Sequence, residues 1–274
     1  MAKKKQNPWT PSGRPQRAGR RADFIRKTTS SAGKNGPFWI YGFHAVRAAL
    51  SNPTRASIKI VATTRALSEI GAKPPENLPV EPADPEAISK LLPSGAVHQG
   101  IALLCEPLAN PDLETILAKH PPGRRMVAVL DQISDPHNEG AILRSAAAFG
   151  VCAIIVQNRH APAESGALAK SASGALDIVP RISVVNITRT LEELERMGFW
   201  RIALAGDAQS SLKEVGREGD ITIVLGAEGT GIRRLVRETC DVSAAIPLSG
   251  DMASLNVSNA AAIAFYELHN LKKE

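Results

Sequence analysis

Three short stretches concentrate the groups in this chain that could bind or react. They are "DQISDPHNEGAILRSAAAFG" from Asp131, "ITIVLGAEGTGIRRL" from Ile221 and "AIPLSGDMASLNVSNAAAIAF" from Ala245. In the third, Ser249, Gly250, Asp251, Ser254, Asn256, Ser258 and Asn259 crowd the start of a helix. One Ser or Asn suffices to cap a helix, so the surplus of hydroxyls and amides beside free N–H groups points to a held ligand, with an over-capped helix start as the plain alternative. Such a terminus grips carboxylates, amides or ring nitrogens. In the first stretch, Asp135 to Asn138 form a turn into a helix, Asn138 reads as its N-cap, and Arg144 falls on its second turn among small apolar residues. An arginine there must meet an anion or extend to water. His137 reads as a turn residue.

The second stretch runs strand, glycine-rich turn, helix. Its glycine order is G-x-x-G-x-G, not the dinucleotide-binding G-x-G-x-x-G, and it lacks the Lys-Ser/Thr ending of a P-loop. Glu228 in its middle would repel phosphates, yet suits a cationic or hydroxyl-bearing ligand. The glycines by themselves are equally explained by a tight turn that needs positive φ. No metal-ligand spacing is present: Cys105, Cys152 and Cys240 lie far apart, a pattern suited to a reducing cytoplasm, and no metal is expected.

These loops need a frame, and the frame is legible. From Met126 onward, continuous apolar runs such as "MVAVLDQI", "VCAIIVQ", "RIALAGD" and "ITIVLG" alternate with helical segments. Strands apolar on both sides and separated by helices make a parallel sheet covered on both faces, which binds ligands at the strands' carboxyl ends. Upstream, "FWIYGFHAVRAALSN", "SIKIVATT", "AISKLLPSG" and "GIALLCEPL" read as a smaller α/β unit over residues 37–108. A linker over 109–123 ends in Pro121, Pro122 and Gly123, and the second α/β domain spans 124–274.

Charge is divided unevenly. Residues 1–36 hold ten of the 33 Lys and Arg and one of the 27 Asp and Glu, leaving 23 bases against 26 acids in the body. With Pro, Gly, Ser and Lys dominating, that segment is expected to be a disordered tail that contacts nucleic acid or merely solubilises the chain. No apolar run reaches the ~20 residues of a membrane span, and the first residues lack the apolar centre of a signal peptide. A cytoplasmic, globular protein without membrane contact is the expectation.

Taken together, "DPHNEGAILRSAAAFG", "IVLGAEGTGI" and "IPLSGDMASLNVSNAAAIAFYE" resemble, in order and spacing, the three signature motifs of the SpoU (TrmH-type) RNA ribose 2′-O-methyltransferases of the SPOUT class. "YGFHAVRAAL" and "HQGIALL" resemble the ribosomal-protein-like RNA-binding domain of the branch that modifies a guanosine of large-subunit (23S) ribosomal RNA. The resemblance implies a trefoil-knotted catalytic domain, S-adenosyl-L-methionine as cofactor, and a homodimer whose protomers both shape each site. It implies that the cofactor rests on Gly206, Gly226, Ile246, Leu248 and Leu255. Arg144, Asn138, Glu228, Ser254 and Asn256 would be the catalytic group, Arg144 anchoring the phosphate and stabilising the developing alkoxide. A tRNA ribose methyltransferase of the same family, a catalytically silent RNA-binding relative and a nucleotide-dependent dehydrogenase are the rival readings. The glycine order disfavours the last.

Overall fold

The computed structural model describes residues 36–123, 125–216, 218–249 and 254–271. Except for Gly36, the segment expected as a basic tail lies outside them.

The first α/β unit is a four-stranded sheet. Strands β1 (Phe38–Tyr41), β2 (Ser57–Ala62), β3 (Val80–Pro82) and β4 (Ile101–Cys105) lie in the order β1-β4-β2-β3. β4 is antiparallel to both neighbours, with Leu103 opposite Ile40 on one side and Ile60 on the other, while β3 is parallel to β2. Helices α1 (Phe43–Ser51), α2 (Thr64–Glu69) and α3 (Pro85–Lys90) connect them. The sequence reading missed α2 and β3. One is six residues long, capped by Thr63 accepting from the N–H of Ala66, and the other has three exposed residues, so neither is long enough to leave an apolar period.

A short helix, α4 (Leu113–Leu117), follows within the expected linker, and its Ile116 and Leu117 are buried in the core of the second sheet. That sheet holds β5 (Met126–Asp131), β6 (Ala153–Gln157), β7 (Arg181–Val184), β8 (Trp200–Leu204), β9 (Ile221–Gly226) and β10 (Val242–Ala244). Its order is β10-β8-β9-β5-β6-β7, and every pairing is parallel. All six residues of β5 are buried: Met126, Ala128 and Leu130 enter one core, and Val127 and Val129 the other. A two-residue period that is apolar on both faces is what a doubly covered sheet demands.

The connecting helices are α5 (Pro136–Ala148), α6 (Gly166–Ala172), α7 (Ile187–Arg196), α8 (Leu212–Val215), α9 (Arg234–Glu238) and α10 (Val257–Asn270). Buried residues of α5, α6 and α10 share one core with β1, α1 and β4, so the first sheet and the second are joined by continuous apolar packing. α7 and α9 cover the opposite face. At the junction, Arg55 donates to Asp177 Oδ1 and Glu164 Oε2, both at 2.7 Å, and to the Glu106 carbonyl at 3.1 Å. Gly166 packs so close to β1 that a Cβ there would sit 2.5 Å from the Trp39 carbonyl oxygen. No helix among the described residues is long and apolar enough to cross a membrane.

Candidate active site

A cavity of about 640 Å³ opens at the carboxyl ends of β8 and β9, where parallel sheets bind ligands. Gly206 follows β8, Gly226 ends β9, and Ile246, Leu248 and Leu255 come from the segment that leads into α10; all five line the cavity. Glu228, Ser254 and Asn256 line it as well. The turn after β9 is held shut by its own backbone. The N–H of Gly231 donates to the Ala227 carbonyl at 2.9 Å, and a Cβ at Gly226 would collide with the backbone of Gly231 and Ile232. Here the glycine is required by a close approach of two chain segments.

Three loops meet on one carboxylate. Glu228 Oε1 accepts from Asn256 Nδ2 at 2.6 Å, from Asn138 Nδ2 at 3.2 Å and from the backbone N–H of Val257 at 3.3 Å. Asn256 Nδ2 also donates to Asn138 Oδ1 at 3.0 Å. The other end of the Asn256 amide, Oδ1, accepts from the N–H of Ser258 and Asn259 and so caps α10. Asn256 therefore divides its two polar atoms between holding a helix and holding the site. Of the polar crowd at this helix start, Asn256 and Ser258 serve local capping and Asn256 also reaches across the cavity rim, while Gly250 and Asp251 lie outside the described residues.

Two expectations in the first loop need correction. Asn138 is not the N-cap of α5; Asp135 is, with Oδ1 accepting from the N–H of His137 at 2.9 Å. Pro136 explains the earlier start, because it fits the first helical position, where its missing N–H costs nothing. Asn138 is thus inside the first turn, free to face Glu228, and Arg144 falls a turn later than expected. Arg144 does not line the cavity: it is exposed on α5, and no hydrogen bond or ion pair reaches it among the described residues. His137 is exposed.

Buried ion pairs fix the loops. Asp131, at the end of β5, accepts from the backbone N–H of Arg233 and from its Nε, each at 2.9 Å, which binds the glycine-rich loop to the first one. Behind Asn138, the fully buried Glu139 pairs with Arg181 of β7, which also donates to the Pro162 carbonyl at 2.7 Å. Burial pushes the Glu139 carboxyl up, against the pull of the Arg181 guanidinium. Gly140 lets α6 lie against α5, since a Cβ there would meet the Ala172 nitrogen at 2.8 Å.

Among the cavity residues that sequence reading missed are two charged ones, Asp207 and Arg237. Asp207 had a signal, an acid directly after the glycine that ends "ALAG", but Arg237 lies near the end of the short helix α9 and had none. Among the described residues, the charged ones lining the cavity are Asp207, Glu228 and Arg237, so acids outnumber bases. Such a lining disfavours a phosphate and suits an apolar, ring-bearing ligand that carries positive charge, in a volume proper to a nucleoside-sized molecule. Among the described residues, no three of His, Cys, Asp or Glu converge as metal ligands.

Comparison with known proteins gives these features a family. Residues 125–266 match the SpoU rRNA Methylase family, and residues 39–111 match the RNA 2′-O ribose methyltransferase substrate binding family. The 23S rRNA (guanosine-2′-O-)-methyltransferase RlmB of Vibrio vulnificus is 39% identical over 243 residues, which are 84% of this chain and 95% of that protein. Among solved structures, a candidate RNA methyltransferase of the TrmH family from Porphyromonas gingivalis aligns with a TM-score of 0.70 at 27% identity, over 85% of this chain and 89% of its own. The SpoU methyltransferase AviRb of Streptomyces viridochromogenes, solved in complex with AdoMet, shares the fold with a TM-score of 0.72 at 20% identity, over 92% of this chain and 93% of its own. With both halves matched and a full-length relative so similar, the chain belongs to the SpoU rRNA methylase family.

Proposed function

We propose that this protein transfers a methyl group from S-adenosyl-L-methionine to the ribose 2′-hydroxyl of a guanosine in large-subunit (23S) ribosomal RNA. The observation that carries the reading is the convergence of Asn138, Glu228 and Asn256, one from each loop, at the rim of a cavity whose acids outnumber its bases. The Vibrio vulnificus relative bears that activity in its name. Family membership supports the cofactor, which supplies an electrophilic methyl on a sulfonium when bound. Ile246, Leu248 and Leu255 would pack on the adenine, the backbone at Gly206 and Gly226 would read its edge, and the acidic lining tolerates the positive sulfur.

The chain's own residues have two tasks, because a ribose hydroxyl is a weak nucleophile that must approach in line: positioning and charge control. Asn138 and Asn256 are held by Glu228 and orient the ribose; Ser254 completes the rim. Arg144 takes the charge-control task. It anchors the phosphate beside the ribose and stabilises the alkoxide as it develops. Its place outside the cavity agrees with a homodimer in which both protomers shape each site, the partner or the RNA closing over α5.

The domain plan follows the same reading: residues 37–108 bind RNA through a ribosomal-protein-like fold, 109–123 link, 124–274 carry the chemistry, and the basic residues of 1–36 add affinity. We further propose that the carboxyl-terminal part is threaded into a trefoil knot. This rests on the resemblance of the three loop motifs to the SpoU family and on the match of residues 125–266 to it. Ribosomal RNA as substrate implies a cytoplasmic setting. Mapping ribose methylation of 23S RNA from cells with and without the gene, and restoring it with purified protein and the cofactor, tests the proposal. An unchanged map would overturn it. Cofactor binding by calorimetry should survive EDTA, in keeping with the absence of a metal-ligating cluster among the described residues.

A further inference from the structure

Asp207 stands immediately after Gly206, on the loop that leaves β8, and lines the same cavity as Glu228, whose loop leaves the neighbouring strand β9. Its side chain is 72% exposed, yet it is not a loose surface acid. Arg237 Nη1 donates to Asp207 Oδ2 at 2.8 Å, and Arg237 is itself anchored by Nε donating to Ser243 Oγ, on β10, at 3.0 Å. The guanidinium holds the Asp207 carboxyl below the usual carboxylate range, so it is an anion at neutral pH. One oxygen is thus fixed by an arginine that also lines the cavity, a backbone N–H of the same loop also reaches the carboxylate, and no side chain other than Arg237 donates to it among the described residues.

We propose that Asp207 is the specificity-determining residue for the cofactor's own ribose, its exposed carboxylate accepting from the vicinal 2′- and 3′-hydroxyls. The inference rests on the cofactor reading above and deepens it. A vicinal diol offers two donors close together, which an oriented carboxylate accepts, and an acid beyond a strand's carboxyl end is placed where parallel sheets receive a ribose. The apolar lining of Ile246 and Leu255 is the region for the base, and the Asn138–Glu228–Asn256 cluster marks the end where transfer occurs. A ribose joins those two parts of the ligand. Arg237 acts through Asp207, as a positioning residue.

The test is calorimetry of the full chain with S-adenosyl-homocysteine, its 2′,3′-dideoxy analogue, and 5′-methylthioadenosine, which keeps the diol but lacks the amino-acid end. Asp207→Ala should weaken S-adenosyl-homocysteine and 5′-methylthioadenosine by the same factor, about 10-fold to 100-fold, the range of a hydrogen bond to a charged group. The dideoxy analogue should bind wild type and variant alike. A variant that loses S-adenosyl-homocysteine but keeps 5′-methylthioadenosine would overturn the proposal, because the carboxylate would then hold the amino-acid end. Equal affinities throughout would overturn it too. Circular dichroism checks that the variant is folded, as the exposure of Asp207 leads one to expect. If wild type binds none of the three ligands, the cofactor reading itself fails, and the two failures are told apart.

Discussion

Asn256 shows how much one side chain is asked to do. Its Oδ1 caps α10 and its Nδ2 binds Glu228 and Asn138, so a substitution can remove either function alone. Asn256→Ser keeps a capping oxygen and loses the donor; Asn256→Ala loses both. The expected outcome is that Ser leaves unfolding stability near wild type while Ala costs about 1 kcal/mol, the scale of a lost N-cap. Methyl transfer should fall in both, by a similar factor. Denaturant unfolding and single-turnover rates on the same two variants check it, and a fully active Ser variant would show that the amide only caps a helix. Arg144 offers the complementary case, since it holds nothing together among the described residues. Arg144→Ala should keep the fold and the cofactor affinity but lose transfer by about 10²-fold, and Arg144→Lys should not restore it, because a point charge cannot replace the guanidinium fork. Near-normal turnover by the Ala variant would make Arg144 an ordinary surface residue.

At the scale of elements, the loops work because strands and ion pairs hold them. Gly226→Ala would push a methyl into the backbone of Gly231 and Ile232, neither of which can rotate away, so the turn must open. Cofactor affinity should be lost while β9, buried along its length, keeps the sheet folded; retained affinity would show that the turn tolerates opening. Asp220 plays a similar part at the other end of β9. It accepts from the N–H groups of Gly123 and Arg125 at 2.8 Å and from the Arg125 guanidinium, fastening the approach to β5. Burial alone would raise its pKa, but Arg125 and those N–H groups bring it below the usual carboxylate range. A carboxyl depressed in the folded state stabilises the fold above its unfolded pKa of about 4 and loses that contribution as pH falls further. Asp220→Asn should therefore be less stable at pH 7 and show a flatter acid limb in urea titrations. These supports also mark the limit of what the sequence discloses. Runs such as "MVAVLD" and "ITIVLG" announce buried parallel strands because their apolar character is local. The pairings Asp131 with Arg233, Glu139 with Arg181 and Asp207 with Arg237 join residues distant along the chain, and no period or spacing reveals them. The same holds for the cap of α5, where Pro136 and Asp135 together outweighed the more obvious Asn138.

For the whole molecule, the decisive contact is between the two sheets. Arg55 is buried at the junction, with Glu164 and Asp177, whose side chains are 9% and 1% exposed, as its partners. Asn52 Nδ2 also donates to Asp177 Oδ1 at 3.1 Å, so four residues from both halves of the chain form one polar knot in otherwise apolar packing. Buried pairs of this kind add little net stability, but removing one partner leaves charge uncompensated and costs about 3–5 kcal/mol. Arg55→Met should accordingly lower stability on that scale. Adding Glu164→Gln and Asp177→Asn to it should recover most of the loss, because no unpaired charge then remains. What the triple variant cannot recover is the directional tie between the half that matches the substrate binding family and the half that holds the cavity. If that tie sets how RNA is presented, KM for ribosomal RNA stays raised in the triple variant while cofactor affinity, a property of the second sheet alone, is unchanged. Unfolding, calorimetry and steady-state methylation on the single and triple variants separate the two roles. A triple variant that is both stable and normal in KM would show that apolar packing between the sheets is enough to aim the substrate.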